Sequence, residues 1–240
     1  MWGLVNYLEH KFGVHYISGG AQAMADAMAK KICSEGGQLK LESLVEKILT
    51  SKDRAIGVQL NNGEKLFSDI VISNADVGHT YSNLLKEKIK KRWTERSLHK
   101  KNWSMSLFVW HFGTKKTSKM WKHVDHHTIL VGPNYKKEVQ DIFIKGNVPE
   151  EMSLYIHRPS ITDDSVAPKG DDTFYVLACV PHLGFSKSTD WELNKETYKS
   201  KVLSMLERKL MPGLAQTIKT EFIMTPIDFQ NRYLSTYGSG

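Results

Sequence analysis

The chain has 240 residues, of which 40% are hydrophobic and 25% charged. That is enough to bury a sizeable core, and it excludes a mostly disordered chain. Two cysteines, Cys33 and Cys179, exclude a disulfide framework or a cysteine-rich zinc site. No run reaches the roughly 18 apolar residues of a membrane-spanning helix, and residues 1–14 lack the layout of a signal peptide. The net charge is +7, from 33 Lys+Arg against 26 Asp+Glu, a balance compatible with an anionic surface.

The pattern predicts a helix over 3–11 stopped by Gly13, then a short β-like piece over 14–17. A turn at Ser18-Gly19-Gly20 leads into a helix over 21–34, with Met24, Met28 and Ile32 in i, i+4 register. Cys33 in that helix reads as a small core residue, as does Cys179 in a later strand, and the methionines 24, 28, 205 and 211 read as core. A short extended piece is expected over 38–41. Residues 45–51 and 54–60 flank Lys52-Asp53 and read as a hairpin. Asn61-Asn62-Gly63 is a turn signal before a short extended stretch over 64–67. Ile70, Val71 and Ile72 read as a strand buried on both faces.

The stretch 80–98 reads as a basic helix. Within 86–101 lie Lys86, Lys88, Lys90, Lys91, Arg92, Arg96, Lys100 and Lys101 against Glu87 and Glu95. The plain reading is a solvated helix face. The sharper one is a membrane-surface contact, because Leu84, Leu85, Ile89 and Trp93 recur near helical spacing. Nucleic acid is not expected, since no zinc finger or ribonucleoprotein motif accompanies the charge. Strands follow over 105–112, 126–131, 153–157, 174–180 and 218–225. Helices are expected over 135–144 and 191–211, with another starting at Pro226. The class is α/β, of the mixed α+β kind.

No dinucleotide fingerprint, phosphate-binding loop, zinc helix or nucleophile elbow is present. His123, His126 and His127 cluster in sequence, but adjacent histidines on a strand point to opposite faces, so no metal site is expected. Asp163-Asp164 and Asp171-Asp172 read as turn-forming aspartates.

The run His157-Arg158-Pro159-Ser160-Ile161-Thr162-Asp163-Asp164-Ser165-Val166-Ala167-Pro168-Lys169-Gly170 resembles a stretch of the bacterial-type phytoene desaturases. Gly19-Gly20, Ser73-Asn74-Ala75-Asp76, Ser106-Leu107-Phe108-Val109, His126-His127-Thr128-Ile129, Tyr135, Phe174-Tyr175-Val176-Leu177, Val180-Pro181-His182-Leu183 and Met211-Pro212-Gly213-Leu214 match in the same order. The resemblance runs nearly end to end, to the carotenoid desaturase branch of the flavin amine-oxidase-like flavoproteins.

The resemblance implies the central part of a two-domain FAD-dependent oxidoreductase. Residues 1–17 would end a helical segment on the substrate and membrane side. Residues 18–78 would be the middle piece of the FAD-binding domain, and 79–240 the substrate-binding domain. The family's glycine-rich pyrophosphate loop and its C-terminal flavin segment have no counterpart here, so the chain is expected to be a fragment unable by itself to hold FAD productively. The implied activity is dehydrogenation of phytoene or a related carotenoid, with quinone or oxygen as electron acceptor; the alternatives are another carotenoid-active or amine-oxidase-like flavoenzyme, or a non-catalytic remnant that binds an apolar ligand or a membrane. The implied location is cytoplasmic, peripherally on a membrane. Val45 reads equally as strand core and as a contact to the adenosine half of FAD. Asn74 and Ala75 would end a strand near the flavin, with an ordinary turn cap as the equal alternative for Asn74. Phe108, Trp110, Phe112, Leu130, Tyr155, Phe174 and Tyr175 are candidate walls of a polyene tunnel, although plain packing serves any one of them. No residue stands out as a catalytic base; His127, His157 and His182 are the nameable ones, each suited to a structural hydrogen bond.

Overall fold

The computed structural model describes residues 2–85, 93–185 and 189–240. Helix α1 (Trp2–Phe12) and helix α2 (Gly20–Ser34) come first, and the expected extended pieces over 14–17 and 38–41 are not strands. Helix formation there follows the sequence pattern, but the apolar faces find no cover among the described residues. Leu4, Phe12, Met24 and Met28 are exposed, and so is Cys33. The assignment of Met24, Met28 and Cys33 to a core is therefore corrected: spacing shows that a helix has an apolar side, not what lies against it.

A three-stranded antiparallel sheet follows, built from β1 (Val45–Ser51), β2 (Arg54–Leu60) and β3 (Lys65–Phe67) in that order. The hairpin turns at Lys52 and Asp53, both with positive φ. Gly57 lies in the central strand at φ +152°, and a Cβ there would sit 2.1 Å from the Leu66 carbonyl oxygen. Gly57→Ala is expected to cost more than about 1 kcal/mol locally. Amide exchange should show β2 and β3 losing protection while the larger sheet keeps it.

Residues 70–72 are not a strand, and Ile70 and Ile72 are 75% and 89% exposed. The expected doubly buried strand is a correction. An apolar triplet becomes a strand only where a neighbouring edge satisfies its backbone, and no described strand of this chain pairs with it. Asn74 and Ala75 consequently follow irregular backbone. Helix α3 (Val77–His79) is capped by Asp76, whose side chain accepts from the His79 amide at 2.9 Å, and widens into an i+5-bonded turn over Thr80–Leu84. The basic helix expected over 80–98 falls partly on 86–92, outside the described residues; helix α4 covers Glu95–His99. Trp93 stacks on Tyr81, with the Lys101 ammonium over its ring.

The second sheet has five antiparallel strands: β4 (Ser106–Thr114), β5 (His127–Leu130), β6 (Leu154–His157), β7 (Asp172–Val180) and β8 (Ile218–Met224). Their order is β5-β6-β7-β4-β8. Helix α5 (Tyr135–Gln140) links β5 to β6, α6 (Trp191–Lys209) links β7 to β8, and α7 (Pro226–Tyr233) follows β8. Burial alternates strictly along β7, from buried Asp172 to buried Val180, as period-two side chains require when one face is covered. The covered face is the core. Phe108, Trp110, Phe174, Val176 and Ile156 pack there with Trp191, Tyr198, Val202 and Leu206 of α6.

Candidate functional site

The half-open face of this sheet is composed by register. His127 pairs with His157, His157 with Tyr175, Tyr175 with His111, and His111 with Phe222. Five rings therefore cross all five strands in one row. Neighbouring centroids are 5.3, 4.8, 5.5 and 4.3 Å apart. The adjacent row on the same face is Ile129, Tyr155, Leu177, Val109 and Met224. Neither row contains a carboxylate, an ammonium or a guanidinium, so the surface is a broad aromatic and aliphatic wall.

Alternation also sorts the expected tunnel residues. Tyr155 and Tyr175 stand on the half-open face. Phe108, Trp110, Phe112 and Phe174 stand on the opposite one and are at most 3% exposed, packed within the core. Those four are corrected from wall to core: an aromatic residue in a strand carries no label for its face until the partner helix is placed. Leu130 pairs with Leu154 and also turns to the helix side, where it packs against the core beside Met152. His111 and Phe222 were not singled out from the sequence. Counting two residues along β4 from Val109, and two back along β8 from Met224, would have found them.

The histidines converge. His126 is the bend residue before β5 rather than part of it, so strand alternation does not separate its ring from that of His127. Its Nε2 lies 3.0 Å from His157 Nε2, and its Nδ1 lies 2.7 Å from Thr162 Oγ1. The Nδ1 of His127 meets the Tyr155 hydroxyl at 2.7 Å. Burial, followed by the neighbouring His126 and His127, lowers the His157 pKa to about 4. Burial likewise lowers that of His126 and His111. Burial, then the hydrogen bond with Tyr175, pushes the Tyr155 phenol up. These groups are neutral near pH 7, in keeping with an uncharged surface.

Behind the wall lies a buried ion pair. Arg158 and Asp172 are 1% and 3% exposed. Arg158 Nε and Nη2 donate to the two Asp172 carboxylate oxygens at 3.1 and 2.9 Å. Asp172 therefore leaves the turn-forming role expected of it, whereas Asp163 keeps a loop role. It accepts from Ser165, from the Gly19 amide at 2.7 Å and from Tyr16. Hydrogen bonds from Ser165 and Gly19 hold its carboxyl at about 2.

The profile of the flavin containing amine oxidoreductases matches residues 1–222. The chain belongs to that family. Among curated proteins it is 56% identical to a neurosporene-forming phytoene desaturase of Rhodobacter capsulatus, covering 100% of this chain and 46% of that protein. It is 41% identical to a lycopene-forming phytoene desaturase of a Paracoccus species, over 100% of this chain and 47% of that one. The chain thus spans about half the length of these relatives. An oxidoreductase from Methanosarcina mazei shares the fold, with a TM-score of 0.64 at 19% identity over 90% of this chain and 44% of that one.

Membership in a flavin family makes the edge of the small sheet the place to test for cofactor fit. Val45 opens β1, an edge strand. It pairs with Leu60, while the Asn61 amide donates to the Leu44 carbonyl. That bond belongs to the pattern in which Val45 turns its own N–H and C=O away from β2, toward the open edge. A backbone edge of this kind can pair with an adenine without any special side chain. Asn74 and Ala75 are exposed on irregular backbone before α3, open to a ligand but not placed at a strand end as expected.

Proposed function

We propose that this chain is the central portion of an FAD-dependent carotenoid desaturase that dehydrogenates phytoene or a related polyene. The observation that carries the reading is the double row of aromatic and aliphatic side chains on the half-open face of the large sheet, in a chain 56% identical to a phytoene desaturase. A long polyene offers no charge and few hydrogen-bonding groups, so a wall free of ionised groups is the surface that suits it. Tyr155, Tyr175, Leu177 and Ile129 would orient the chain of double bonds and exclude water. Val45 would hold the adenosine half of FAD through its backbone, with Asn74 and Ala75 as further contacts. Bound FAD supplies the two-electron acceptor needed to remove two hydrogens from adjacent saturated carbons. Such a substrate resides in lipid, so the proposal includes peripheral attachment to the cytoplasmic side of a membrane, and quinone or oxygen as the final acceptor.

The test is a chimera in which this chain replaces the matching segment of the Rhodobacter capsulatus desaturase. Loaded with FAD and mixed anaerobically with phytoene in liposomes, it should bleach its flavin and form visible-absorbing conjugated products. Tyr175→Asp should lower kcat/KM at least about 100-fold with FAD retained, because a carboxylate would be desolvated against the polyene. A folded chimera that holds FAD and phytoene yet forms no conjugated product overturns the proposal.

A further inference from the structure

We infer that His126, His127 and His157 form a binding site for a divalent transition-metal ion of the zinc class. One nitrogen from each ring can be chosen so that all lie within 4.8 Å of one another. The closest pair, Nε2 of His126 and Nε2 of His157, is 3.0 Å apart. Tetrahedral zinc at ordinary zinc–nitrogen distances places its ligand atoms about 3.3 Å apart. Two rings are therefore already at ligand spacing, and a nitrogen of the third lies within 4.8 Å of both.

The surroundings have the form of a metal-binding histidine cluster. His126 and His127 each engage a hydroxyl through Nδ1, from Thr162 and Tyr155 respectively. With Nδ1 carrying the proton, Nε2 of each ring keeps its lone pair for a metal, which is how outer hydrogen bonds commonly orient histidine ligands. His157 is positioned differently: its Nδ1 is buried without a hydrogen-bond partner. Its ring lies near-parallel to two neighbours, 15° from His127 and 11° from Tyr155. Asp125, the carboxylate nearest in sequence, accepts from the His126 amide at 2.7 Å and is occupied there. Three imidazoles without a carboxylate or thiolate favour zinc, nickel or copper over magnesium or calcium.

The site joins two separate pieces of chain: the bend with the first residue of the edge strand β5, and the last residue of β6. A bound ion would clip the edge strand to its neighbour at one end of the aromatic row. His127 is exposed, which leaves room for a water in a fourth position.

The cluster shares His127, His157 and Tyr155 with one end of the proposed wall, and its test reads metal binding alone, so its failure is distinguishable from failure of the proposed activity. Metal-stripped chain is titrated with Zn2+ by calorimetry and with Co2+ by visible absorption. One ion per chain with a micromolar or tighter Kd is expected, with Co2+ bands of a tetrahedral nitrogen site. His126→Ala and His157→Ala should each weaken binding by ten-fold or more, and Tyr155→Phe by about ten-fold. His111→Ala, on the same face outside the cluster, should leave binding unchanged. If His157→Ala does not fold, His126→Ala at the bend decides. Absence of saturable binding to folded chain, or equal affinity in the His126→Ala/His157→Ala double variant, overturns the inference.

Discussion

Replacing Arg158 with methionine is expected to lower the unfolding free energy by about 3–5 kcal/mol, the usual consequence of breaking one half of a buried ion pair. The guanidinium does more than neutralise Asp172. Nη1 donates to the carbonyls of Met120, Trp121 and Val124, each at 3.2 Å, and Nη2 to that of Thr117, also at 3.2 Å. One side chain thus ties the 117–124 loop to β7. Methionine fills the space but leaves the carboxylate and four carbonyls without this donor. Arg158→Lys should recover little, because a single ammonium cannot reproduce the planar fork. Urea unfolding followed by tryptophan fluorescence measures the loss, and a change under about 1 kcal/mol would show that the pair is not coupled to folding.

The same pair sets a pH dependence. Burial by itself raises the Asp172 pKa, but hydrogen bonds from Arg158, Ser160 and Thr117, with the Arg158 charge, outweigh it and hold it below the ordinary value. A depressed carboxylate contributes stability that is fully present above its unfolded pKa, about 3.9. That contribution is lost as pH falls through the folded value, since the unfolded chain then binds more protons. The wild-type chain should therefore lose stability steeply below about pH 4, and Arg158→Met should lose less over that range, having less to lose. Chemical unfolding at pH 7 and at pH 3 separates the two.

Phe108→Ala is the second large effect, at about 3–5 kcal/mol. The ring is 1% exposed, edge-on to Tyr198 at 4.7 Å and 6.0 Å from Trp191. Deleting it removes the transfer free energy of the ring and leaves a cavity between β4 and α6 that rigid strands cannot collapse to fill. Phe108→Leu should return part of the loss. Tyr175→Ala, on the half-open face, should cost clearly less. This contrast separates core from wall: were Phe108 a tunnel residue, its truncation would change substrate handling and leave the unfolding midpoint in place.

Helices α1, α2, α5, α6 and α7 and all eight strands among the described residues were legible in the sequence because each follows from local periodicity and a start or stop signal nearby. The hairpin β1–β2 is the clearest case, with both strand bounds readable around Lys52-Asp53. Most of the failures share one cause. Residues 70–72 and the methionines of α2 were assigned burial from their composition, yet burial is a property of two surfaces, and no second surface covers them among the described residues. Aromatic strand residues failed in the same way, with Phe108 and Tyr175 indistinguishable until α6 fixes which side of the sheet is inside. His126 and His127 were separated by a rule that holds only inside a strand, and His126 lies one residue before it.

Sequence alone determined the class of the molecule, the positions of its strands and, through ordered motifs over nearly the whole chain, its family. Those properties depend on spacing along one dimension. Only the tertiary structure decided which face of the large sheet is open, that Arg158 meets Asp172 beneath it, and that three histidines, from the bend before β5, from β5 and from β6, meet at its edge. Each of these depends on contacts between residues 14 to more than 100 positions apart, and register between distant strands is set by the packing of the whole sheet against α6 rather than by any local preference.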